Sequence, residues 1–166
     1  SSWTNRLSEF PNLLVMQTMS KAWGMAALRL GMAYASQEIM AVLNKIKPPY
    51  NISALTQQEA LRVLQNTDKQ QRMVQQLLQE RENLTQSLEK LPMVQRIYPS
   101  DANFLLVKVQ HAATVFDYLI AKKVIVRDRS RVVLCEGCLR ITVGTAEENE
   151  RLLAELKNFN KSQRVM

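Results

Sequence analysis

The chain has 166 residues, and a hydrophobic share of 46% is enough for one domain, or one and a half small ones, with a core. The net charge is +7, but the basic residues are scattered without interleaved aromatics, which argues against nucleic-acid binding. There is no transmembrane run or signal peptide, and two cysteines are typical of a reducing compartment rather than a disulfide scaffold.

The first fifty or so residues predict two short strands around a polar loop. Residues 4–10 are typical of a helix end or a loop, which Pro11 closes. Residues 13–17 predict a buried strand, residues 22–28 a short turn or helix, and residues 30–35 a second strand. Ser36 is a typical N-cap for a helix that Pro48-Pro49 stops, and residues 49–51 then favour an extended backbone.

Helical periodicity dominates residues 53–91. Leucines recur there on a background rich in Gln and Glu. The pattern predicts one helix ending near residue 65 and a longer one from about 68 to 90. Strict heptads are not sustained, so helices that pack on a core are favoured over a coiled coil.

The remaining residues alternate between strands and helices. Strands are predicted at 94–99, 103–109, 124–127 and 138–144, with a helix at 112–122. Thr145 and Glu148 form a capping box for a final helix that runs to about residue 159, after which residues 160–163 are expected to fray. The alternation predicts an α/β fold, with a fragment of a larger sheet in residues 1–52 and a helix-led α/β domain in residues 53–166.

A cluster of polar residues follows the first predicted strand. Thr18, Ser20 and Lys21 come together, and Arg29 follows eight residues after the lysine. Two hydroxyls and two cations on a short stretch suit a phosphate beside an amine nucleophile, since a deprotonated lysine forms Schiff bases with carbonyls. Pyridoxal phosphate carries both an aldehyde and a phosphate. By spacing alone, a turn with a solvated lysine is the commoner alternative.

The whole string from Thr18 to Gly31, Thr-x-Ser-Lys-Ala-Trp-Gly-x-Ala-x-x-Arg-Leu-Gly, resembles the lysine signature of the fold-type I aminotransferases that depend on pyridoxal phosphate. The resemblance implies that Lys21 is the catalytic lysine, which bonds to pyridoxal 5'-phosphate and later shuttles a proton. It also implies that Thr18, Ser20 and Arg29 hold the cofactor phosphate.

Two arginines are candidates for binding a substrate anion. Alternation along the last predicted strand puts Leu139 and Ile141 on one face and Arg140 on the other. An arginine held on a strand can grip a carboxylate with two parallel hydrogen bonds, or it can form a structural ion pair. For Arg127, a surface pair with Asp128 is an equal alternative.

The two arginine motifs and Lys47-Pro48-Pro49-Tyr50-Asn51 resemble the histidinol-phosphate aminotransferase family. This implies that Arg127 and Arg140 bind substrate in a cytoplasmic homodimer that transfers an amino group between L-histidinol phosphate and 2-oxoglutarate. The chain would be the C-terminal part of the enzyme. Residues 1–52 would end the large cofactor-binding domain, and residues 53–166 would form an interdomain helix and the small α/β domain. The family's ring-binding residues lie upstream of the lysine, so we expect the isolated chain to be inactive.

Other functions stay open from the sequence. One is a sibling of the same fold, such as an aromatic-amino-acid aminotransferase or a threonine-phosphate decarboxylase. Another is a non-enzymatic interaction module built on the helices of residues 53–91. Cys135-Glu136-Gly137-Cys138 has C-x-x-C spacing, but His111 is the single histidine and a zinc site needs four ligands. A redox pair lacks a thioredoxin-like context, so two free thiols without a metal are the favoured interpretation.

Overall fold

The computed structural model describes residues 2–163. The chain divides into two compact units, one reaching to Met73 and the other beginning at Val74. The division predicted at residues 52 and 53 concerns the domains of a larger enzyme and stays a prediction. Within residues 2–163, none of the helices combines the length and apolar character needed to cross a bilayer.

The first unit is built on a two-stranded antiparallel ribbon followed by helices. Its elements are a 3₁₀ turn at Trp3–Arg6, β1 (Val15–Thr18), a 3₁₀ turn at Ala26–Leu28, β2 (Gly31–Tyr34), α1 (Gln37–Ile46), α2 (Ala54–Leu64) and the start of α3 (Thr67–Glu89). The two strands predicted for this unit, and the helices predicted after them, are therefore confirmed apart from their exact ends.

Serine side chains start two of these helices. The Ser36 hydroxyl accepts the Ile39 N–H at 3.5 Å, so the predicted N-cap of α1 is confirmed. The Ser53 hydroxyl accepts the Thr56 N–H at 3.1 Å and caps α2 in the same way. Between the helices the extended backbone predicted for residues 49–51 is wrong, because Tyr50 lies in a turn and has a φ of 56°.

The strand predicted at residues 13–17 forms slightly later, as β1, but the prediction that it is buried is wrong. Met16 is 77% exposed, since neither face of a two-stranded ribbon is fully covered within this unit. The buried residues follow the strand instead: Met19, Met25 and Ala60 lose nearly all contact with solvent. An apolar run therefore identified the strand but not what covers it.

The second unit is a four-stranded antiparallel sheet packed against helices. Its elements after α3 are β3 (Val94–Tyr98), β4 (Phe104–Val109), α4 (Ala112–Ala121), β5 (Arg127–Asp128), β6 (Cys138–Thr142) and α5 (Ala146–Gln163). The strand order is β3-β4-β6-β5. One face of the sheet carries alternate buried residues that form a core with the three helices, namely Leu105, Val107, Leu139 and Ile141.

The strand predicted at residues 124–127 is displaced. The Val124 N–H donates to the Leu119 carbonyl at 2.8 Å, and Lys123 has a φ of 58°, so this stretch closes the end of α4. Only Arg127 and Asp128 join the ladder, as β5. The β-branched residues before them are typical of a strand, but the end of the helix determines where pairing can begin.

The fraying predicted for residues 160–163 is wrong, because α5 continues to Gln163. Phe159 is buried in the core, with its ring centroid 5.2 Å from that of Tyr118. The Ser162 hydroxyl also donates to the Phe159 carbonyl at 2.7 Å. The core contact of Phe159 therefore stabilises the end of the helix, which continues through the polar residues 160–163.

Replacing Ile141 with valine should lower the free energy of unfolding by about 1 kcal/mol, because one buried methyl group is lost. Ile141 is 2% exposed, whereas Ile125 is 83% exposed and provides the matched control. Urea denaturation of both variants, followed by circular dichroism, measures the difference. An equal effect of Ile125→Val would contradict the burial assigned to Ile141.

Candidate active site

The loop that carries Lys21 lies between β1 and β2 and is closed at its base. The Met19 N–H donates to the Leu30 carbonyl at 3.2 Å, beyond the last paired residues of the ribbon. Ser20 comes directly after Met19 and Arg29 directly before Leu30, so the two residues lie on opposite sides of the loop next to this bond. The antiparallel ribbon thus brings together the ends of a motif whose polar residues are spread over twelve positions, from Thr18 to Arg29.

The two predicted hydroxyls meet at the end of β1. The Thr18 hydroxyl donates to the Ser20 hydroxyl oxygen at 2.9 Å, and the Ser20 N–H donates to the Thr18 hydroxyl oxygen at 3.2 Å. In this arrangement the Ser20 hydroxyl accepts a bond and keeps its own hydrogen to donate elsewhere. The pair is a local donor group that can face an anion.

Lys21 begins a tight turn that two buried residues hold in place. The Gly24 N–H donates to the Lys21 carbonyl at 2.9 Å, and Gly24 takes a φ of 66°, which a glycine adopts without strain. The Met25 N–H donates to the Met19 carbonyl at 3.0 Å, and both methionine side chains are buried while Lys21 is exposed. The lysine amine is therefore accessible on an anchored loop.

Arg29 closes the 3₁₀ turn at Ala26–Leu28 in an unusual backbone conformation. Its φ is 52°, which costs a residue other than glycine on the order of 1 kcal/mol. Its guanidinium donates to the Ala26 carbonyl at 3.1 Å. The structure therefore brings Thr18 and Ser20 into contact, but the Arg29 guanidinium is bonded within its own turn.

Arg127 and Arg140 lie directly opposite each other in the ladder of β5 and β6. Like charges at opposed positions on neighbouring strands destabilise a sheet. Within residues 2–163 the ion pairs are Arg6 with Glu9 and Arg62 with Glu59, so neither opposed arginine has a carboxylate partner there. The arrangement favours an anion from outside this chain segment.

Asp128 does not neutralise Arg127. Its carboxylate accepts the Ser130 hydroxyl at 2.6 Å and the Ser130 N–H at 2.8 Å. These bonds hold the pKa of Asp128 below its ordinary value. The side chains of adjacent strand residues point to opposite faces. The alternative of an Arg127–Asp128 surface pair is therefore wrong.

Arg140 is held over an aromatic ring that sequence reasoning did not single out. Its guanidinium carbon lies 5.1 Å from the centroid of the Phe104 ring. Its Nε is buried without a hydrogen-bond partner among the described residues. A buried donor left unpaired costs about 1–3 kcal/mol, so this nitrogen is suited to an acceptor that a ligand brings. The predicted orientation is confirmed, because Leu139 and Ile141 are buried on the other face.

The comparisons with known proteins agree with one another. The family model for aminotransferase class I and II matches residues 4–156. A histidinol-phosphate aminotransferase of Cytophaga hutchinsonii is 57% identical over 92% of this chain and 44% of its own length. Another, of Christiangramia forsetii, is 51% identical over 95% of this chain and 45% of its own length.

Two solved structures share the fold. The histidinol-phosphate aminotransferase of Clostridium acetobutylicum superposes with a TM-score of 0.90 at 21% identity, covering 98% of this chain and 50% of that one. The enzyme of Sinorhizobium meliloti, solved in complex with pyridoxal-5'-phosphate, gives 0.81 at 22% identity, covering 96% and 44%. They establish the architecture as α/β, equivalent to about half of a fold-type I aminotransferase.

The chain thus spans less than half the length of these curated relatives. Within that span the family model covers nearly every residue that the structure describes, including the lysine loop and both opposed arginines. The chain belongs to the aminotransferase class I and II family.

Proposed function

We propose that this chain is part of an enzyme that transfers an amino group between L-histidinol phosphate and 2-oxoglutarate, a step of histidine biosynthesis. The observation that carries the proposal is the 57% identity, over 153 residues, to a protein named for this activity. Six further relatives with the same name are from 45% to 52% identical.

The proposed cofactor is pyridoxal 5'-phosphate, and the donor set of the lysine loop fits it. The hydroxyls of Thr18 and Ser20 are 2.9 Å apart, close enough to serve neighbouring oxygens of one phosphate. Arg29 supplies a cation at the other side of the loop base, once its guanidinium leaves the Ala26 carbonyl. When bound, the cofactor supplies an aldehyde for the lysine and an electron-withdrawing ring.

Lys21 has two proposed tasks. Its Nζ would hold the aldehyde of the bound cofactor, and the same Nζ would accept the proton from the substrate carbon that bears nitrogen and return it later. Support comes from the exposed side chain on a loop anchored by Met19 and Met25. Such a loop fixes the backbone of Lys21, so that only its side chain would move between the cofactor aldehyde and the substrate carbon.

Arg127 and Arg140 are proposed to bind the substrate anions. A phosphate monoester carries a charge of about −1.5 to −2 near neutral pH, which suits two guanidiniums facing it together. A dicarboxylate offers the same arginines a carboxylate for parallel hydrogen bonds. The support is the opposition of the two residues in the sheet and the unpaired Nε of Arg140.

A sibling activity has weaker support. The L-threonine-O-3-phosphate decarboxylase of Porphyromonas gingivalis has a TM-score of 0.81, but at 22% identity it shows the fold alone. Amine donors distinguish the candidates when they are offered to a protein of full family length that carries this chain. Glutamate formed from 2-oxoglutarate, with histidinol phosphate as the amino donor, supports our proposal, and carbon dioxide released from threonine phosphate contradicts it.

The proposal also includes the setting of the enzyme. We propose a cytoplasmic homodimer that acts on small molecules and has neither nucleic acid nor membrane as a partner. Support for small-molecule substrates comes from the activity for which the relatives are named. Sedimentation of the full-length protein measures the dimer directly.

The isolated chain of 166 residues should show no turnover with pyridoxal phosphate, histidinol phosphate and 2-oxoglutarate. It spans 44% of its Cytophaga relative, and the ring-binding residues of the family are expected upstream of the lysine. A coupled assay for glutamate measures this, with the full-length protein as the positive control. Robust turnover by the chain alone would contradict the proposed division of the site.

A further inference from the structure

The two cysteines of the second unit are the ends of one tight turn. The Cys138 N–H donates to the Cys135 carbonyl at 3.0 Å, and Gly137 has a φ of 71° at the third position. These are the features of a type II β-turn, whose end Cα atoms lie within about 7 Å. Disulfides need Cα atoms about 4.4–6.8 Å apart, so the turn provides a suitable separation.

The two thiols differ in access. Cys138 is fully buried, whereas Cys135 is half-buried, and both are free. Burial raises the pKa of Cys138, and charge on Cys135 raises it further. A reagent from solution therefore reaches Cys135 more readily than Cys138.

The turn is anchored independently of the sulfurs. The Val109 N–H donates to the Gly137 carbonyl at 2.9 Å, which joins the turn to the end of β4. Cys138 itself lies opposite Lys108 in the ladder of β4 and β6. A bond between the two cysteines would close a short ring within the turn and leave these pairings intact.

We propose that Cys135 and Cys138 form a reversible dithiol–disulfide pair whose oxidant is a small-molecule disulfide of the glutathione type. The Cys135 thiolate attacks one sulfur of the oxidant, its S–S bond breaks, and one thiol leaves. Cys138 then loses its proton and attacks the Cys135 sulfur, which expels the second thiol. Two electrons pass from the protein, and one oxidant disulfide becomes two thiols. This site is independent of the proposed aminotransferase function.

Redox buffers of reduced and oxidised glutathione test the pair on the purified chain, followed by alkylation and intact mass. The oxidised wild-type chain should lose both alkylation sites and about 2 Da, and excess reduced glutathione should restore them. Cys138→Ser should stop at a glutathione adduct on Cys135. Cys135→Ser should react at least about tenfold more slowly, because the remaining thiol is buried.

The same chain unfolded by urea is the control for the effect of the folded turn. At one glutathione ratio, the folded chain should contain about tenfold more intramolecular disulfide than the unfolded one, because the turn holds the cysteines together. The proposal is overturned if the folded wild-type chain keeps glutathione on Cys135 without closing, keeps both thiols open to alkylation, or links only to other chains. An equal or lower amount of disulfide than in urea also overturns it.

Discussion

Replacing Lys21 with alanine should lower the kcat of a full-length protein carrying this chain by at least about 10³-fold. The change removes both the amine that bonds to the cofactor and the base that moves the proton at the substrate carbon. The Thr18 and Ser20 hydroxyls remain, so weak binding of the cofactor phosphate should persist. The expected result is thus a protein that binds the cofactor without using it.

Steady-state rates and borohydride reduction measure this outcome together. Reduction in the presence of pyridoxal phosphate should label Lys21 in the wild-type protein and leave the Lys21→Ala variant unlabelled. Lys45→Ala is the matched control, because Lys45 is an exposed lysine in the last turn of α1. Its rate and labelling should equal those of the wild type. A label retained by Lys21→Ala would refute the role given to this lysine.

Local chemistry made the elements of the lysine loop predictable, whereas the role predicted for Lys21 came from the resemblance to the aminotransferase signature. A strand, two hydroxyls, a lysine and a glycine turn are adjacent in sequence, and the contact between Thr18 and Ser20 spans two residues. Helix caps were predictable for the same reason, as Ser36 shows. Signals of this range depend on near neighbours in the chain, so they hold whatever the rest of the protein does.

Features that depend on distant elements were not predictable. The exposure of Met16 depends on what covers the ribbon, and an apolar run carries no information on that. The contact between Phe104 and Arg140 needs the register of β4 against β6, since Phe104 lies opposite Thr142, two residues along the strand from Arg140. Alternation along the strand predicted the face on which Arg140 lies, but it could not predict the ring that Arg140 contacts.

The opposed positions of Arg127 and Arg140 were only partly predictable from the sequence. Each arginine was a candidate on its own, with a structural ion pair as the alternative. The ladder places them face to face, and the carboxylate of Asp128 turns to Ser130 instead. Two opposed arginines without an acid between them do not stabilise the sheet, which is why we propose that they bind an anion.

Replacing Arg140 with alanine should lower kcat/KM for histidinol phosphate by about 10²-fold or more, mainly through KM. Removing one partner of a desolvated charge pair with a ligand costs about 2–5 kcal/mol. Steady-state kinetics on the full-length protein measure it. The matched control is Arg96→Ala, because Arg96 is exposed and stacks 4.8 Å from the Tyr98 ring centroid on the same sheet. Its kcat/KM should stay within about twofold of wild type, as rim charges contribute little.

Stability without ligand separates binding from a structural role for Arg140. A structural arginine would hold an acid, and its loss would destabilise the fold. Here the change to alanine removes an unpaired buried Nε and the charge repulsion with Arg127, and both effects stabilise the fold. It also removes the contact with the Phe104 ring, which destabilises the fold. The free energy of unfolding should therefore stay within about 1 kcal/mol of wild type while KM rises. A loss of about 3 kcal/mol or more with unchanged KM would assign Arg140 to the fold rather than to the substrate.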